Sequence, residues 1–265
     1  MANIVFDNVQ RVFHQGGGEF VALQDINLEV REREFVAIVG PSGCGKTTCM
    51  RMAAGLDHPT GGQVRVDGIV VTKPGPDRAV VFQQFALFPW KTVWDNIEFG
   101  LLSLGVDAAE RKRRIEHYIA LMGLNGYERA FPHQLSGGMQ QRVAIARAYV
   151  LDPKVLLMDE PFGALDAQTR VVMQEELVRL ARQHPRTVLF ITHAVDEAVY
   201  LADRIVVMSR RPGTVREIID VKTVREAASW DALPRIEDVM DLPTFVHLRT
   251  HVWKLLRDQQ GGDVH

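Results

Sequence analysis

Apolar positions along the chain follow two periods. Ile26, Leu28 and Val30 alternate with Asn27 and Glu29, the pattern of a strand with one buried face. Ile4 to Val9 and Leu23 to Val30 therefore read as two strands, with Gly16, Gly17 and Gly18 marking a turn between them. Phe35-Val36-Ala37-Ile38-Val39 is unbroken and ends at Gly40, which suits a strand buried on both faces. Ala79 to Phe82, Val155 to Met158, Val188 to Thr192 and Ile205 to Met208 repeat that pattern. Val64 to Val71 predicts a hairpin turning near Asp67-Gly68. From about Asp107 to Leu151 the chain is charged, Ala-rich and helix-like, a helical insertion between two strands of the main sheet. Phe245, Leu248, Val252 and Leu255 recur at helical spacing in the tail and predict one apolar face packed on the core.

Composition narrows the class. The 265 residues are 46% hydrophobic and 24% charged, ordinary for a globular chain of one or two domains. With 31 basic and 33 acidic residues the net charge is -2, which argues against a polybasic nucleic-acid binder. Cys44 and Cys49 are too few for a disulfide framework, so a reducing compartment is expected. No apolar run approaches the roughly 18 residues of a membrane span, and the N-terminus lacks the basic and apolar regions of a signal peptide. The expectation is a cytosolic chain whose work at a membrane needs a spanning partner.

Three segments carry chemistry. Gly40-Pro41-Ser42-Gly43-Cys44-Gly45-Lys46-Thr47 fills every fixed position of a phosphate-binding loop, after a buried strand and before a helix beginning at Thr48. Its glycines let consecutive N–H groups face phosphate oxygens, and the helix adds its positive end. Lys46 reaches the β- and γ-phosphates, and the Thr47 hydroxyl is placed for Mg2+. Cys44 fills space in this loop, with some exposure to alkylating reagents expected. Val155-Leu156-Leu157-Met158-Asp159-Glu160 is a strand ending in two acids, at the strand end where ligands gather. Asp159 is the candidate for holding Mg2+, and Glu160 for deprotonating an attacking water. Phe190-Ile191-Thr192-His193 ends a further strand, and His193 is placed to bond the γ-phosphate and that water.

Leu135-Ser136-Gly137-Gly138-Met139-Gln140-Gln141-Arg142 decides the family. Ser136 can cap a helix there, and Gly137 and Gly138 permit close backbone approach to an anion. Together with the phosphate loop and the acid-ended strand, this segment resembles the signature of the ATP-binding-cassette ATPases. The resemblance covers about Ile4 to Met208 and weakens in the tail. It implies an α/β P-loop NTPase cassette: a RecA-like mixed sheet, an N-terminal antiparallel β subdomain and an inserted helical subdomain near 95–150. The cassette would span 1–235 and a helical tail 236–265. It further implies that Ser136, Gly137, Gly138 and Gln140 address ATP on a second, identical subunit, and that Asp166 in Ala164-Leu165-Asp166 crosses the dimer interface.

By the same resemblance Gln83, with Gln84 the alternative register, reports the γ-phosphate and Mg2+ to a transmembrane partner. Phe13, with Phe20 the alternative, stacks on adenine. A groove near Gln83, Phe85, Phe88 and Trp90 would grip a permease helix. Gly75 to Gln83, Ala86-Leu87-Phe88-Pro89-Trp90 and Trp253 resemble the nitrate, sulfonate and taurine importer branch in particular. The expectation is an ATP-hydrolysing subunit, peripheral on the cytoplasmic face of the membrane, energising binding-protein-dependent import of a small anion or organosulfonate. An importer for a heterocyclic vitamin precursor, or an exporter, stays open. Lys46, Glu160 and His193 argue against a non-catalytic cassette. One departure from the family stands near the sheet: Arg33 occupies a turn position that usually holds Gly.

Overall fold

A computed structural model of the chain describes residues 2–15, 18–233 and 235–258. The turn expected at Gly16 and Gly17 lies outside these residues. Two sheets form.

The first sheet is antiparallel, with strand order β2-β1-β4-β5. Its strands are β1 (Ile4–Gln15), β2 (Gly18–Val30), β4 (Gly61–Val66) and β5 (Ile69–Val70). Both β1 and β2 run longer than their apolar alternation suggests, because register shifts after Phe6 break the period that defines a strand in sequence. The expected hairpin is present: Asp67 (φ 55) and Gly68 (φ 76) form a two-residue left-handed turn between the paired Val66 and Ile69.

The second sheet contains β3 (Phe35–Val39), β6 (Arg78–Val81), β7 (Val155–Asp159), β8 (Thr187–Ile191), β9 (Arg204–Met208) and β10 (Val215–Asp220), in the order β10-β9-β3-β8-β7-β6. All neighbours are parallel except β10, which returns antiparallel to β9. No strong apolar pattern marks β10. Its burial alternates, but as an edge strand it places Glu217 on the inward side and Ile218, 41% exposed, on the outward side, so apolar and polar residues do not alternate with it. Phe82 lies just past β6 and is 39% exposed, so that strand keeps its expected length but sits one residue earlier, beginning at Arg78.

The unbroken apolar runs have a simple cause. Alternate residues of each central strand enter two different cores. Val36, Ile38, Leu157, Leu189 and Ile191 face the antiparallel sheet and α1 (Lys46–Ala54). Ala37, Val39, Leu156, Met158, Phe190 and Val207 face the remaining helices. These are α2 (Val93–Ser103), α3 (Ala108–Leu121), α4 (Gly137–Tyr149), α5 (Ala167–Gln183), α6 (Val195–Leu201), α7 (Lys222–Ala227), α8 (Ile236–Met240) and α9 (Pro243–Arg257).

Thr92, Asp107, Ser136 and Asp166 cap α2, α3, α4 and α5 with side-chain oxygens, satisfying N–H groups that each helix start would leave open. The tail helix α9 buries Phe245, Leu248 and Val252, with Leu255 partly covered, on the face its spacing predicts. The strand ends that matter for chemistry, after β3, β7 and β8, lie side by side at the carboxyl edge of the parallel sheet.

Candidate active site

The loop from Gly40 to Thr47 joins β3 to α1, and its path depends on glycine. Gly43 and Gly45 have φ of 73° and 95°, and a methyl on Gly45 would meet Leu23 Cδ2 at 2.4 Å. A methyl on Gly40 would strike Cys44 Sγ at 2.7 Å. The loop is thus wound tightly around its own carbonyls. Lys46 is only 7% exposed, and its Nζ donates to the Gly40 and Pro41 carbonyls at 2.8 and 3.1 Å. Cys44 is buried rather than accessible: its side chain is 1% exposed and burial pushes its thiol up. Burial, reinforced by Cys44, pushes Cys49 up to about 12.

The acid pair closes one side of the loop. Thr47 Oγ1 donates to Asp159 Oδ1 at 3.2 Å. Burial raises Asp159 above the usual carboxylate range; the Thr47 hydroxyl opposes this and the Glu160 charge reinforces it. Glu160 sits at φ 44, a strained conformation for a residue with a side chain, and its N–H donates to the Ile191 carbonyl of β8. Its carboxylate Oε2 is shared: Gln83 Nε2 donates to it at 3.2 Å, and His193 Nδ1 lies 3.1 Å away, so the Nδ1–H tautomer donates there too. Three segments far apart in sequence therefore meet on one oxygen. This places Gln83, and not Gln84, in the cluster.

A cleft of about 500 Å3 joins these groups, lined by Ser42, Gly43, Gly45, Lys46, Thr47, Thr48, Glu160 and His193, with Phe13 and Phe20 at one end. Both rings carry an arginine: Arg11 lies 4.4 Å from the centre of Phe13, and Arg211 lies 4.7 Å from that of Phe20. Arg211 also donates from Nε to the Gly43 carbonyl at 3.0 Å and lines the cleft. Sequence reasoning missed it. Its signal is the Arg-Arg-Pro-Gly punctuation after β9, which marks a turn without saying where the turn presses.

The signature lies elsewhere. Ser136 Oγ accepts from Met139 N–H at 3.3 Å, Gln140 Nε2 donates to the Leu135 carbonyl at 3.2 Å, and Ser136 and Gly137 are exposed. Gly138 is buried against α5, where a methyl would meet Thr169 Cγ2 at 2.6 Å. Asp166 accepts from Thr169 N–H at 3.0 Å, which holds its carboxyl below the usual range. None of these residues lines the cleft, so within one copy the signature stands apart from it.

An apolar groove of about 400 Å3 opens beside β6, lined by Leu56, Phe82, Phe88, Phe99, Arg147 and Leu151 among others. Phe88 is central, 4.6 Å from Phe99 and 5.8 Å from Trp90 between ring centres. Trp90 is 72% exposed at its side, whereas Phe85 is half-buried against the core.

No cluster of three or more metal-ligating side chains occurs among the described residues. Mg2+ takes one or two protein oxygens and fills its octahedron with water and phosphate. Thr47 and Asp159 offer such a hydroxyl–carboxylate pair. No helix among the described residues is long and apolar enough to cross a membrane.

A phosphate-binding loop facing an acid-ended strand, with a separately capped Gly-Gly helix start, defines a nucleotide-binding cassette. The profile of the ABC transporter family matches residues 23–163, and the chain belongs to that family as an ATP-binding, ATP-hydrolysing cassette. It is 50% identical over 238 residues to an uncharacterized ABC transporter ATP-binding protein of Methanocaldococcus jannaschii, covering 89% of each chain. It is 50% identical over 214 residues to the nitrate import ATP-binding protein NrtD of Synechocystis, covering 81% of this chain and 80% of that one. It is 45% identical over 261 residues to the bicarbonate transport ATP-binding protein CmpC of Synechocystis, covering 97% of this chain but 38% of that longer protein. A solved dimeric ATP-binding cassette in a post-hydrolysis state with ADP and Pi superimposes with a TM-score of 0.72 at 33% identity, over 82% of this chain and 98% of that one.

Proposed function

We propose that the chain energises import of a small anion, as one of two identical ATPase subunits docked on permease subunits at the cytoplasmic face of the membrane. The observation that carries the chemistry is the shared Glu160 oxygen, held by Gln83 and His193 at the end of the β7 strand and beside the Lys46 loop. Glu160 takes the proton from a water as its oxygen attacks the γ-phosphorus, and the bond to the ADP oxygen breaks. His193 orients that water and the γ-phosphate. Lys46 exchanges the carbonyls of Gly40 and Pro41 for β- and γ-phosphate oxygens. The N–H groups from Ser42 to Thr48 wrap the phosphates, and Phe13, or Phe20 in its place, stacks on adenine. Thr47, Asp159 and Gln83 would hold Mg2+, which when bound supplies electrostatic stabilisation of the phosphate oxygens.

The separation of the signature from the cleft supports a head-to-tail dimer. Ser136, Gly137, Gly138 and Gln140, with Asp166 beside them, complete the site of the second copy, so ATP binds the copies together and hydrolysis releases them. The Phe88 groove is read as the seat for a short helix of the permease, with Gln83 relaying the state of the site to it. A substrate-binding protein acts indirectly, through the permease. Relatives named for nitrate and bicarbonate transport support a small oxyanion as solute.

The test is uptake in intact cells lacking this gene, with labelled nitrate, bicarbonate, taurine and an alkanesulfonate. The expected result is loss of one anion's uptake, restored by wild type and not by Lys46→Ala. Unchanged uptake of all four overturns the solute class and points to another cargo, such as a heterocyclic vitamin precursor.

A further inference from the structure

His193 is exposed, yet the backbone on both sides of it is tied down by one buried carboxylate that the proposed hydrolysis does not use. Thr192 is 1% exposed; its Oγ1 accepts from Ala194 N–H at 3.0 Å and donates to Glu197 Oε2 at 2.5 Å. One hydroxyl thus bridges the residues before and after His193. Glu197 is 4% exposed, on the first turns of α6. Its other oxygen faces Arg170 of α5, with Nε 3.7 Å away. Arg170 Nε is buried and makes no hydrogen bond among the described residues. The other end of the same guanidinium does: Nη2 donates to the Leu165 carbonyl at 3.1 Å, immediately before Asp166, whose own carbonyl accepts from Arg170 N–H at 2.9 Å.

A buried charge is retained only where partners compensate its desolvation. Glu197 has two such partners, Thr192 and Arg170, and they lie on two elements: the strand end carrying His193 and the helix whose first turn begins at Asp166. The Arg170–Glu197 contact is an ion pair short of a hydrogen bond, so a movement of under about 1 Å between α5 and α6 makes or loses it.

We propose that Glu197 is a positioning residue that couples His193, in one site, to the Leu165–Asp166 loop, through Thr192 on one side and Arg170 on the other. The proposal rests on the reading that the chain hydrolyses ATP as a dimer in which the Asp166 loop meets the other copy. Closure of the dimer moves that loop; Arg170 carries the movement to Glu197; and Glu197 sets the backbone that aims His193. Each site is thereby informed of the other's closure. Coupling of this kind travels through packed side chains, hydrogen bonds and ion pairs that join elements able to take two arrangements.

The test is steady-state ATP hydrolysis by the full chain across ATP concentration, with thermal midpoints measured in parallel. Glu197→Gln keeps an acceptor for the Thr192 hydroxyl and removes the charge facing Arg170. Arg170→Lys keeps the charge and removes the second N–H that reaches Leu165. Both are expected to lower kcat about tenfold, a size typical of lost contacts between directly coupled residues, with KM within about twofold. Both should bring the Hill coefficient from above 1 toward 1. The double variant should be no worse than either single one. Wild-type kcat and Hill coefficient in both single variants overturn the proposal, as does a kcat loss that only tracks a lowered thermal midpoint with cooperativity intact. If wild type itself shows no hydrolysis that Lys46→Ala abolishes, the ATPase reading fails instead.

Discussion

Replacing Gly213 with alanine tests whether the phosphate loop is held from outside. Gly213 follows the Arg210-Arg211-Pro212 turn after β9 and is buried between β2 and the loop. Its N–H donates to the Ala22 carbonyl at 3.0 Å, and its own carbonyl accepts from Gln24 N–H at 3.0 Å. These two bonds fix it to β2. A methyl there would lie 2.0 Å from Cys44 O and 3.1 Å from Leu23 Cδ2. Real Cβ atoms essentially never approach another heavy atom within 3.0 Å, so the Cys44 carbonyl has to retreat by at least about 1 Å. Cys44 directly precedes Gly45 and Lys46, and its displacement turns the N–H groups and the Lys46 ammonium off their line.

A misplacement of that size costs roughly 100-fold in rate, or about 2.7 kcal/mol of transition-state stabilisation. The assay is steady-state ATP hydrolysis, with ATP affinity and thermal midpoint measured on the same preparation. Gly213→Ala is expected to lose kcat/KM about 100-fold. Arg211→Ala removes the hydrogen bond to Gly43 and the cation over Phe20 without pushing the loop, and should lose about tenfold or less. A folded Gly213→Ala with kcat/KM within threefold of wild type would refute the reasoning: the loop would then owe its shape to its own glycines alone.

Glu160→Gln should lower kcat by about 10²- to 10⁴-fold while ATP still drives dimers in size-exclusion chromatography; turnover within tenfold of wild type would remove Glu160 as the base. Arg33 sits at φ 59, so Arg33→Gly should relieve about 1–2 kcal/mol of strain against about 0.5–1 of added chain entropy, raising stability in urea by roughly 0.5–1 kcal/mol. A lowered midpoint would show that the arginine side chain outweighs its backbone. Asp166 is held below its ordinary pKa chiefly by the Thr169 N–H, so the ionised cap stabilises the fold above the ordinary carboxylate range and loses that effect as pH falls through its lowered pKa. Asp166→Ala should therefore lower the thermal midpoint at pH 7, and the gap to wild type should shrink in acid. Cys44 and Cys49, each 1% exposed with raised thiol pKa, should resist iodoacetamide in the native chain and react on unfolding; rapid native labelling would mean that the loop opens.

The parallel strands were legible because each carries apolar residues for two cores, and nothing but a doubly covered sheet needs that. The phosphate loop, acid pair and signature were legible because their chemistry depends on residues adjacent in sequence, where spacing records geometry. What could not be read had a common cause. β10 pairs at an edge, where its apolar residues do not follow its burial. Gly213 matters because of what lies on its far side, and Glu197 because of an arginine 27 positions upstream. Cys44 looked accessible because loops usually are, but this loop turns its side chain inward, where Gly40 leaves room for the sulfur. Periodicity reports which face is buried; it does not report which distant segment does the burying.

The same distinction separates the two halves of the proposed dimeric site. Lys46, Thr47, Asp159, Glu160, Gln83 and His193 converge within a single chain. Ser136 and Gly137 stand exposed, away from the cleft, at the start of a 13-residue helix. An exposed glycine at position 137, at a helix start, costs conformational entropy, which makes sense if, as in the proposed dimer, an anion from outside arrives there. Arg170 sits between the two halves: it holds the Leu165 carbonyl next to the loop of the second half and faces Glu197 behind the first. If the Glu197 link fails its test while hydrolysis by the chain alone remains cooperative, the copies signal by another route within the dimer, and Gln83, which reaches the same Glu160 oxygen as His193, is the next residue to replace.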